Sequence, residues 1–165
     1  MAEADAASVL AIQQAAYPAT HHESWAVLGR KLALWPQGCW VLTDGADLPQ
    51  AYLFSHPWRA DAPPAMDSEI EALPDDTDTY VLHDLALHPR AQGQGLGLLL
   101  WRKALLAAQT AGLNRMNLVA VQGSAPFWTR QGFEAVAPIS AEMAEKLAGY
   151  GGDAVFMHRL AQAKA

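Results

Sequence analysis

The chain is poor in cysteine and in basic residues. Cys39 is its single cysteine, so neither an intramolecular disulfide nor a cysteine-rich metal site can form. Because Cys39 begins an apolar run, we expect it to be a small core residue. The 11 Lys and Arg residues against 17 Asp and Glu residues give a net charge of −6, which disfavours nonspecific binding to nucleic acid. A cationic or neutral amine fits this charge better.

Long apolar runs are also missing. No stretch of about 18 apolar residues occurs, and residues 1–5 contain no basic segment leading into an apolar one. These absences predict a cytoplasmic protein without a membrane partner. Hydrophobic residues make up 52% of the chain and six residues are Trp, which predicts a folded core. The length of 165 residues, with no repeat or linker, predicts a single domain over residues 1–165.

Apolar periodicity and turn residues predict alternating helices and strands. The first helix is expected to begin with Asp5 as its cap and to reach Tyr17, and the second to run from Ser24 to Pro36. Residues 56–79 are rich in Pro, Asp and Ala and predict a long loop, with a short helical turn at 68–73. The remaining predicted elements are strands at 39–43, 51–55, 80–87, 117–121, 133–136 and 154–160, and helices at 98–111, 125–131 and 141–147.

The most informative motif lies between the strand at 80–87 and the helix at 98–111. Its residues are Gln92, Gly93, Gln94, Gly95, Leu96 and Gly97. A strand that ends in a glycine-rich turn and continues into a helix directs several backbone N–H groups and the positive end of a helix dipole at one point. Such a point suits a phosphate group.

The spacing argues against the two common nucleotide-binding loops. A Walker loop needs Gly-Lys-Ser/Thr at the start of the helix, whereas Gly97 is followed by three leucines. A dinucleotide fingerprint needs Gly-x-Gly-x-x-Gly, whereas these glycines fall at alternate positions and the expected acidic residue after the next strand is missing. A nicotinamide-dependent enzyme is therefore disfavoured.

Gln92, Gly95 and Gly97 resemble the acetyl-CoA loop, Gln/Arg-x-x-Gly-x-Gly/Ala, of the Gcn5-related N-acetyltransferase (GNAT) family. The preceding segment 85–89 resembles the family's hydrophobic strand and His/Asp-Pro turn. A second block, at 117–133, resembles the next strand followed by the helix and Gly-Phe turn of the family. The resemblance implies an α/β fold in one domain, with a GNAT-like mixed, mostly antiparallel central sheet flanked by helices.

The resemblance also implies a set of contacts to acetyl-CoA. Backbone groups of Leu85 and Leu87 are expected to bind the pantetheine arm as an added strand would, and their N–H groups to polarise the thioester carbonyl. Arg90 is close enough to reach a CoA phosphate, although an exposed arginine is equally consistent. The implied acetyl-CoA contacts are Leu85, Leu87, Gln92, Gly93, Gln94, Gly95, Leu96, Gly97, Leu98 and Trp128.

The family's usual catalytic acid is missing. That tyrosine lies four residues before the Gly of the Gly-Phe turn, where this chain has Trp128, and an indole cannot give up a proton at neutral pH. We expect Trp128 to pack against the core or the cofactor. Tyr150, in the loop before the last strand, is a candidate replacement, with ordinary loop packing as the alternative. His83 and Asp84 are candidate general bases, although both could be hydrogen-bonded sheet residues. Strand alternation predicts that at most one of them faces a given cleft.

Other polar residues are weaker candidates. His21, His22 and Glu23 predict a solvated turn, since adjacent histidines rarely bind one metal ion. His56 ends a strand and predicts either a core or hinge position or part of an acceptor pocket. Asn117 occupies a position where many ribosomal-protein acetyltransferases have Glu, which disfavours that substrate class.

The function implied is transfer of an acetyl group from acetyl-CoA to a primary amine of a small molecule or peptide. The alternative is a non-catalytic acyl-CoA-binding module that kept the glycine loop and lost the acid at Trp128. No metal is expected. The tryptophan content permits a homodimer.

Overall fold

The computed structural model describes residues 1–60 and 64–160. The strands are β1 (Cys39–Thr43), β2 (Pro49–Trp58), β3 (Thr79–Leu87), β4 (Arg115–Ala120), β5 (Glu134–Ala135) and β6 (Val155–Leu160). The helices are α1 (Ala6–Ala16), α2 (Trp25–Leu34), α3 (Leu96–Thr110), α4 (Ala125–Thr129) and α5 (Ala141–Ala148).

The strands form one sheet in the order β1-β2-β3-β4-β6-β5. Of the described pairs, β3 with β4 is parallel and the other four are antiparallel. The prediction of a mixed, mostly antiparallel sheet is therefore confirmed. No helix in the described ranges is long and apolar enough to cross a membrane.

Side-chain alternation along β2 gives the sheet two apolar faces. Tyr52 and Phe54 pack with α1 and α2, whereas Ala51 and Leu53 pack into the cluster that contains α3. Burial on both faces explains why β2 and β3 read as nearly continuous apolar runs. The two helical layers cover the two faces of the sheet.

Two irregularities in β3 shape the centre of the sheet. Phe54 pairs with Asp84 and Ser55 pairs with Leu82, so His83 is the extra residue of a β-bulge. Parallel pairing of β3 with β4 ends at Leu82 and Leu118, although both strands continue beyond that point. The two strands therefore diverge at the bulge and leave a gap between them.

Several predicted boundaries differ from the structure. Ser24 caps α2 by accepting the N–H of Val27 as expected, but the Asp5 carboxylate accepts the N–H of Ala2 rather than one from α1. Residues 68–73 contain a bend at 71–72 and no helix. β2 continues through Pro57, which was not predicted. Beyond Phe54 this strand has no partner on the β1 side, so the N–H that proline lacks is not needed there.

Candidate active site

A groove opens where β3 and β4 diverge, and the N-terminus of α3 lies at one end of it. We call it the glycine-loop groove; its volume is about 600 Å³. Eight of the ten predicted acetyl-CoA contacts line it: Leu85, Leu87, Gln92, Gly93, Gly95, Gly97, Leu98 and Trp128. Gln94 and Leu96 do not. The Gln94 side chain donates to the carbonyl of Arg90 at 3.0 Å, and Leu96 packs against the α3 core.

Gly95 sets the geometry of the helix start. It is the N-cap of α3 with φ +78°, a left-handed conformation that side chains other than glycine adopt at a cost. A Cβ built on Gly95 would meet no atom within 4 Å, so the backbone angle rather than crowding requires glycine. The first N–H groups of an α-helix have no partner within the helix. Here they face a groove that can accept an anion.

The arginine beside the groove is not the one that the sequence indicated. Arg90 donates to the carbonyl of Pro49 at 3.0 Å and to Gln50 Oε1 at 3.3 Å, and it does not line the groove. Arg130, just after α4, lines the groove instead. Arg130 lies within the second family-like block, but no spacing rule marked it. Only the packing of α4 against the opening between the strands places it there.

A second, smaller space of about 80 Å³ adjoins the groove and shares five of its lining residues. We call it the His83 cavity. His83 and Asp84 both line it, so the prediction that at most one of them faces a given cleft is wrong. The bulge at His83 breaks the alternation on which that prediction depended. The residues that line both spaces are Tyr17, Leu85, Val121, Ser124 and Trp128.

His83 forms a buried pair with Glu23. His83 Nε2 lies 2.6 Å from Glu23 Oε2, and each side chain is 4% exposed. Glu23 is held on all sides: its backbone N–H and C=O bond the side-chain amide of Gln13, and its Oε1 accepts the N–H of Asp67 at 2.5 Å. Burial would raise the pKa of Glu23. Four interactions outweigh burial: the charge of His83, its hydrogen bond to Glu23, the charge of Lys31 and the hydrogen bond from the Asp67 N–H. Together they lower the pKa of Glu23 to about 2.

The predicted solvated turn at residues 21–23 is therefore wrong. Glu23 is buried against His83, and His21 Nε2 lies 2.7 Å from the carbonyl oxygen of Tyr150. The connection between α1 and α2 folds across the sheet and meets the loop before β6, which no local pattern reports. Within the described ranges, no group of His, Cys, Asp and Glu side chains has a geometry that could hold a metal ion.

Asp84 lies between two tyrosines. Tyr52 donates to Asp84 Oδ2 at 2.6 Å, and Tyr17 Oη lies 2.9 Å from Asp84 Oδ1. Burial raises the pKa of Asp84, and the charge of Glu23 acts in the same direction. The hydrogen bonds from both tyrosines and the charge of His83 oppose this rise without cancelling it. Asp84 is therefore a weaker acid than an ordinary aspartic acid side chain.

The other aromatic candidates occupy different surroundings. Tyr150 lines the His83 cavity, and burial raises the pKa of its phenol. Trp128 packs edge-on against Trp101 and Phe133, as the packing interpretation predicted, and also borders both spaces. Trp128 stands at the sequence position where the family has its tyrosine acid.

His56 and Cys39 are core residues. His56 is fully buried in β2 and lines neither the glycine-loop groove nor the His83 cavity. Burial lowers its pKa to about 3, so it stays neutral in this position. Cys39 is buried as expected, and burial raises the pKa of its thiol to about 12. A buried neutral thiol is unreactive.

The comparison with protein families agrees with this geometry. The sequence profile of the Acetyltransferase (GNAT) family matches residues 6–133. The chain belongs to the GNAT family. The matched region runs from the start of α1 to the residue before β5, and thus includes the glycine loop, the bulge and α4. A comparison with curated protein sequences found no match.

Solved structures show the same fold at low sequence identity. The GNAT-like decarboxylase GphF, in complex with isobutyryl-CoA, has 19% identity and a TM-score of 0.75, covering 97% of this chain and 96% of that one. Ard1 from Thermoplasma volcanium has 15% identity and a TM-score of 0.71, covering 99% and 95%. A GNAT family acetyltransferase from Brucella melitensis, in complex with acetyl-CoA, has 17% identity and a TM-score of 0.59, covering 100% and 87%. Because these neighbours include a decarboxylase and an acetyltransferase, the fold leaves the reaction open.

The low pKa of Glu23 predicts a specific pH dependence of stability. A carboxyl whose pKa is lower in the folded state stabilises the protein above its ordinary pKa of 4.5, and this contribution is lost as the pH falls towards 2. The loss from Glu23 amounts to roughly 3 kcal/mol. We expect the free energy of unfolding of Glu23→Gln to lack this part of the acid dependence in urea titrations between pH 2 and 7. Glu145→Gln, at an exposed position on α5, is the control and should follow the wild type. Equal acid dependence in Glu23→Gln and wild type would contradict the pairing.

Proposed function

We propose that the protein is an N-acetyltransferase that transfers the acetyl group of acetyl-CoA to a primary amine of a small molecule or peptide. The observation that carries the proposal is that the glycine-loop groove and the His83 cavity share five lining residues beside the point where β3 and β4 stop pairing. A donor in the groove and an amine in the cavity would meet at the bulge. There the imidazole of His83 and an edge of β3 that β4 no longer pairs are available.

The glycine-loop groove suits the donor. The N-terminus of α3 and Arg130 would bind the phosphates, and the free edge of β3 at Leu85 and Leu87 would bind the amide groups of the pantetheine arm. The bound donor supplies an activated acyl thioester. The Brucella neighbour, a complex with acetyl-CoA, supports this assignment of the groove by analogy of fold.

The His83 cavity suits an amine. Of the described residues that line it, none is Lys or Arg, whereas Glu23 and Asp84 are carboxyl groups. A cationic amine is attracted to such a space and must lose a proton before it attacks a thioester. His83, fixed by Glu23, is the base that we assign to this step. Asp84 is held by two tyrosines and is less suited to accept a proton from the substrate.

The non-catalytic acyl-CoA-binding module remains the competing function, because Trp128 occupies the position of the family acid. Release of free thiol from acetyl-CoA, measured across a panel of small amines and short peptides, separates the two. For an enzyme we expect acceptor-dependent thiol release above background, with the acetylated amine found by mass spectrometry. Binding of acetyl-CoA without acceptor-dependent release would favour the module instead.

The donor site can be tested at Gly95. Gly95→Val should weaken acetyl-CoA binding at least tenfold, about 1.4 kcal/mol, because Gly95 lines the groove where the phosphates would bind and added bulk there would obstruct them. Gly112→Val is the matched control: its φ of +74° imposes similar strain at the other end of α3, away from the groove. Calorimetry should give wild-type affinity for the folded Gly112 variant. An unchanged affinity in folded Gly95→Val would contradict the assignment of the groove.

The base can be tested at His83. His83→Gln preserves a hydrogen bond to Glu23 but cannot accept the amine proton, so we expect at least a tenfold loss of kcat with acetyl-CoA affinity retained. The fall of kcat/KM on the acid side of the wild-type pH profile should disappear in this variant. Asp84→Asn should keep that acid limb. If only Asp84→Asn abolishes the limb, the base is Asp84 and the assignment to His83 is wrong.

A further inference from the structure

Asn117 is a buried amide in β4 that has no hydrogen-bonding partner in the described part of the chain. The residue is 1% exposed, and neither Oδ1 nor Nδ2 forms a hydrogen bond to any described residue. Buried amides are nearly always paired, because an unpaired donor or acceptor in the interior costs free energy. An unpaired amide that lines a cavity therefore indicates a partner from outside the chain.

The cavity that Asn117 lines adjoins the His83 cavity. We call it the Asn117 pocket; its volume is about 10 Å³. Five of its lining residues also line the His83 cavity: Leu82, His83, Leu118, Val119 and Tyr150. None of its described lining residues lines the glycine-loop groove. The Asn117 pocket therefore lies on the acceptor side of the site, away from the donor.

The size of the Asn117 pocket limits what can pair with the amide. About 10 Å³ is close to the smallest space that holds one water molecule, so the pocket suits a single oxygen atom. Nδ2 is a donor and Oδ1 is an acceptor, so this atom must accept one hydrogen bond and donate another. A hydroxyl oxygen does both. A carboxylate only accepts, an ammonium only donates, and a methyl group does neither.

The walls of the pocket also favour a neutral group. Among its described lining residues there is no Lys, Arg, Asp or Glu, and His83 is already paired with Glu23. Val81 and Phe156 supply apolar walls. A charged group there would lose its hydration without gaining a free partner of opposite charge. A hydroxyl group carries no charge and keeps two hydrogen bonds to Asn117.

Strand geometry sets the distance between this group and the reacting amine. Val81 pairs with Asn117, and His83 lies two residues further along β3. Two residues of a strand span about 7 Å. An amine beside His83 and a hydroxyl beside Asn117 are therefore separated by roughly 7 Å, a distance that a short carbon chain covers. Val119, which lines both spaces, offers an apolar surface to such a chain.

We propose that Asn117 binds a hydroxyl group of the acceptor, and that the preferred acceptors are primary amines with a hydroxyl roughly 7 Å from the nitrogen. This inference rests on the proposed acetyl transfer and specifies its acceptor as an amino alcohol. Asn117 Nδ2 donates to the hydroxyl oxygen, and the hydroxyl donates to Asn117 Oδ1. The amine at the other end of the acceptor faces His83.

A permanently bound water molecule is the competing partner of Asn117. It has the same hydrogen-bonding chemistry as a hydroxyl group and fits the same volume. Such a water would stay in place when the acceptor binds, and the acceptor would occupy only the His83 cavity. The two interpretations differ in one measurable property. Only the first makes the enzyme distinguish acceptors by a hydroxyl group.

Paired acceptors measure that property in the wild-type protein. Each pair consists of an amino alcohol and the alkylamine in which a methyl group replaces the hydroxyl, over chains of about two to six carbons. We expect kcat/KM to favour the amino alcohol at least tenfold at the chain lengths that reach Asn117, because the methyl group leaves both amide atoms unpaired. Shorter chains should show a smaller difference. An active enzyme without a preference at any length would overturn the inference.

Asn117→Leu tests whether the preference comes from this residue. Leucine is similar in size to asparagine but has no hydrogen-bonding atom, so we expect the preference to fall below twofold at unchanged acetyl-CoA affinity. Thr79→Val is the matched control. Thr79 is fully buried in β3 and its Oγ1 has no partner among the described residues, yet it lines neither the Asn117 pocket nor the His83 cavity. The control should keep the preference, and a preference that persists in Asn117→Leu would overturn the assignment.

Two measurements without turnover separate binding from a structural role. Asn117→Leu should unfold at a temperature no lower than the wild type, because an apolar side chain of similar size replaces an amide without a protein partner. In NMR titrations of the CoA-loaded protein, where no acetyl group is present, the wild type should bind the amino alcohol at least tenfold more tightly than Asn117→Leu does. A variant that unfolds well below the wild type and binds the amino alcohol equally well would assign Asn117 to structure and overturn the inference.

The outcomes distinguish this inference from the proposed function. A wild-type protein that acetylates no amine contradicts the proposed function, and the titration of the CoA-loaded protein still tests the hydroxyl site. An active wild type that treats both members of every pair alike contradicts only the role of Asn117.

Discussion

The divergence of β3 and β4 after Leu82 and Leu118 is the constraint on which the rest of the site depends. Buried backbone N–H and C=O groups that lose their ladder partners must find others. The bulge at His83 starts this divergence and turns the following residues towards the gap. A single interruption of the ladder thus leaves an edge of β3 that β4 does not pair, and the glycine-loop groove and the His83 cavity lie beside it. The glycine loop and α4 then close the groove around that edge.

The chemistry of the cavity depends on charges held under α1 and α2. Four ionisable side chains are buried or nearly so: Lys31, Glu23, His83 and Asp84. Burial of any one of them in charged form without a partner would lower the stability of the fold by several kcal/mol. Each is partnered or neutralised by its surroundings: Glu23 by His83, and Asp84 by two tyrosines. Burial lowers the pKa of Lys31, while the three carboxyl groups of Glu23, Asp84 and Asp67 raise it. The surroundings therefore move the pKa values of the two carboxyl groups in opposite directions, that of Glu23 down and that of Asp84 up.

The predictions from the sequence that succeeded depend on the backbone conformation or the chemistry of single residues. The glycine loop was recognised because a backbone conformation that only glycine adopts easily must be encoded at that position, as at Gly95. Trp128 was recognised as a packing residue because an indole has no proton to give. Predictions failed where a distant segment decides the environment. Glu23 was predicted to be solvated because nothing near it in sequence reports that His83 lies 2.6 Å away, 60 residues later in the chain.

The sequence by itself determined the GNAT family, the order of helices and strands and the glycine loop before α3, because periodicity and glycine spacing are local properties of the chain. Only the tertiary structure decided which side chains meet at the gap between the strands. A bulge is a property of two paired strands, so no single strand reveals that His83 and Asp84 share one cavity. The contact of Tyr17 with Asp84 and Leu85 joins segments 67 and 68 residues apart. Contacts over such distances depend on how layers pack, which no local pattern contains.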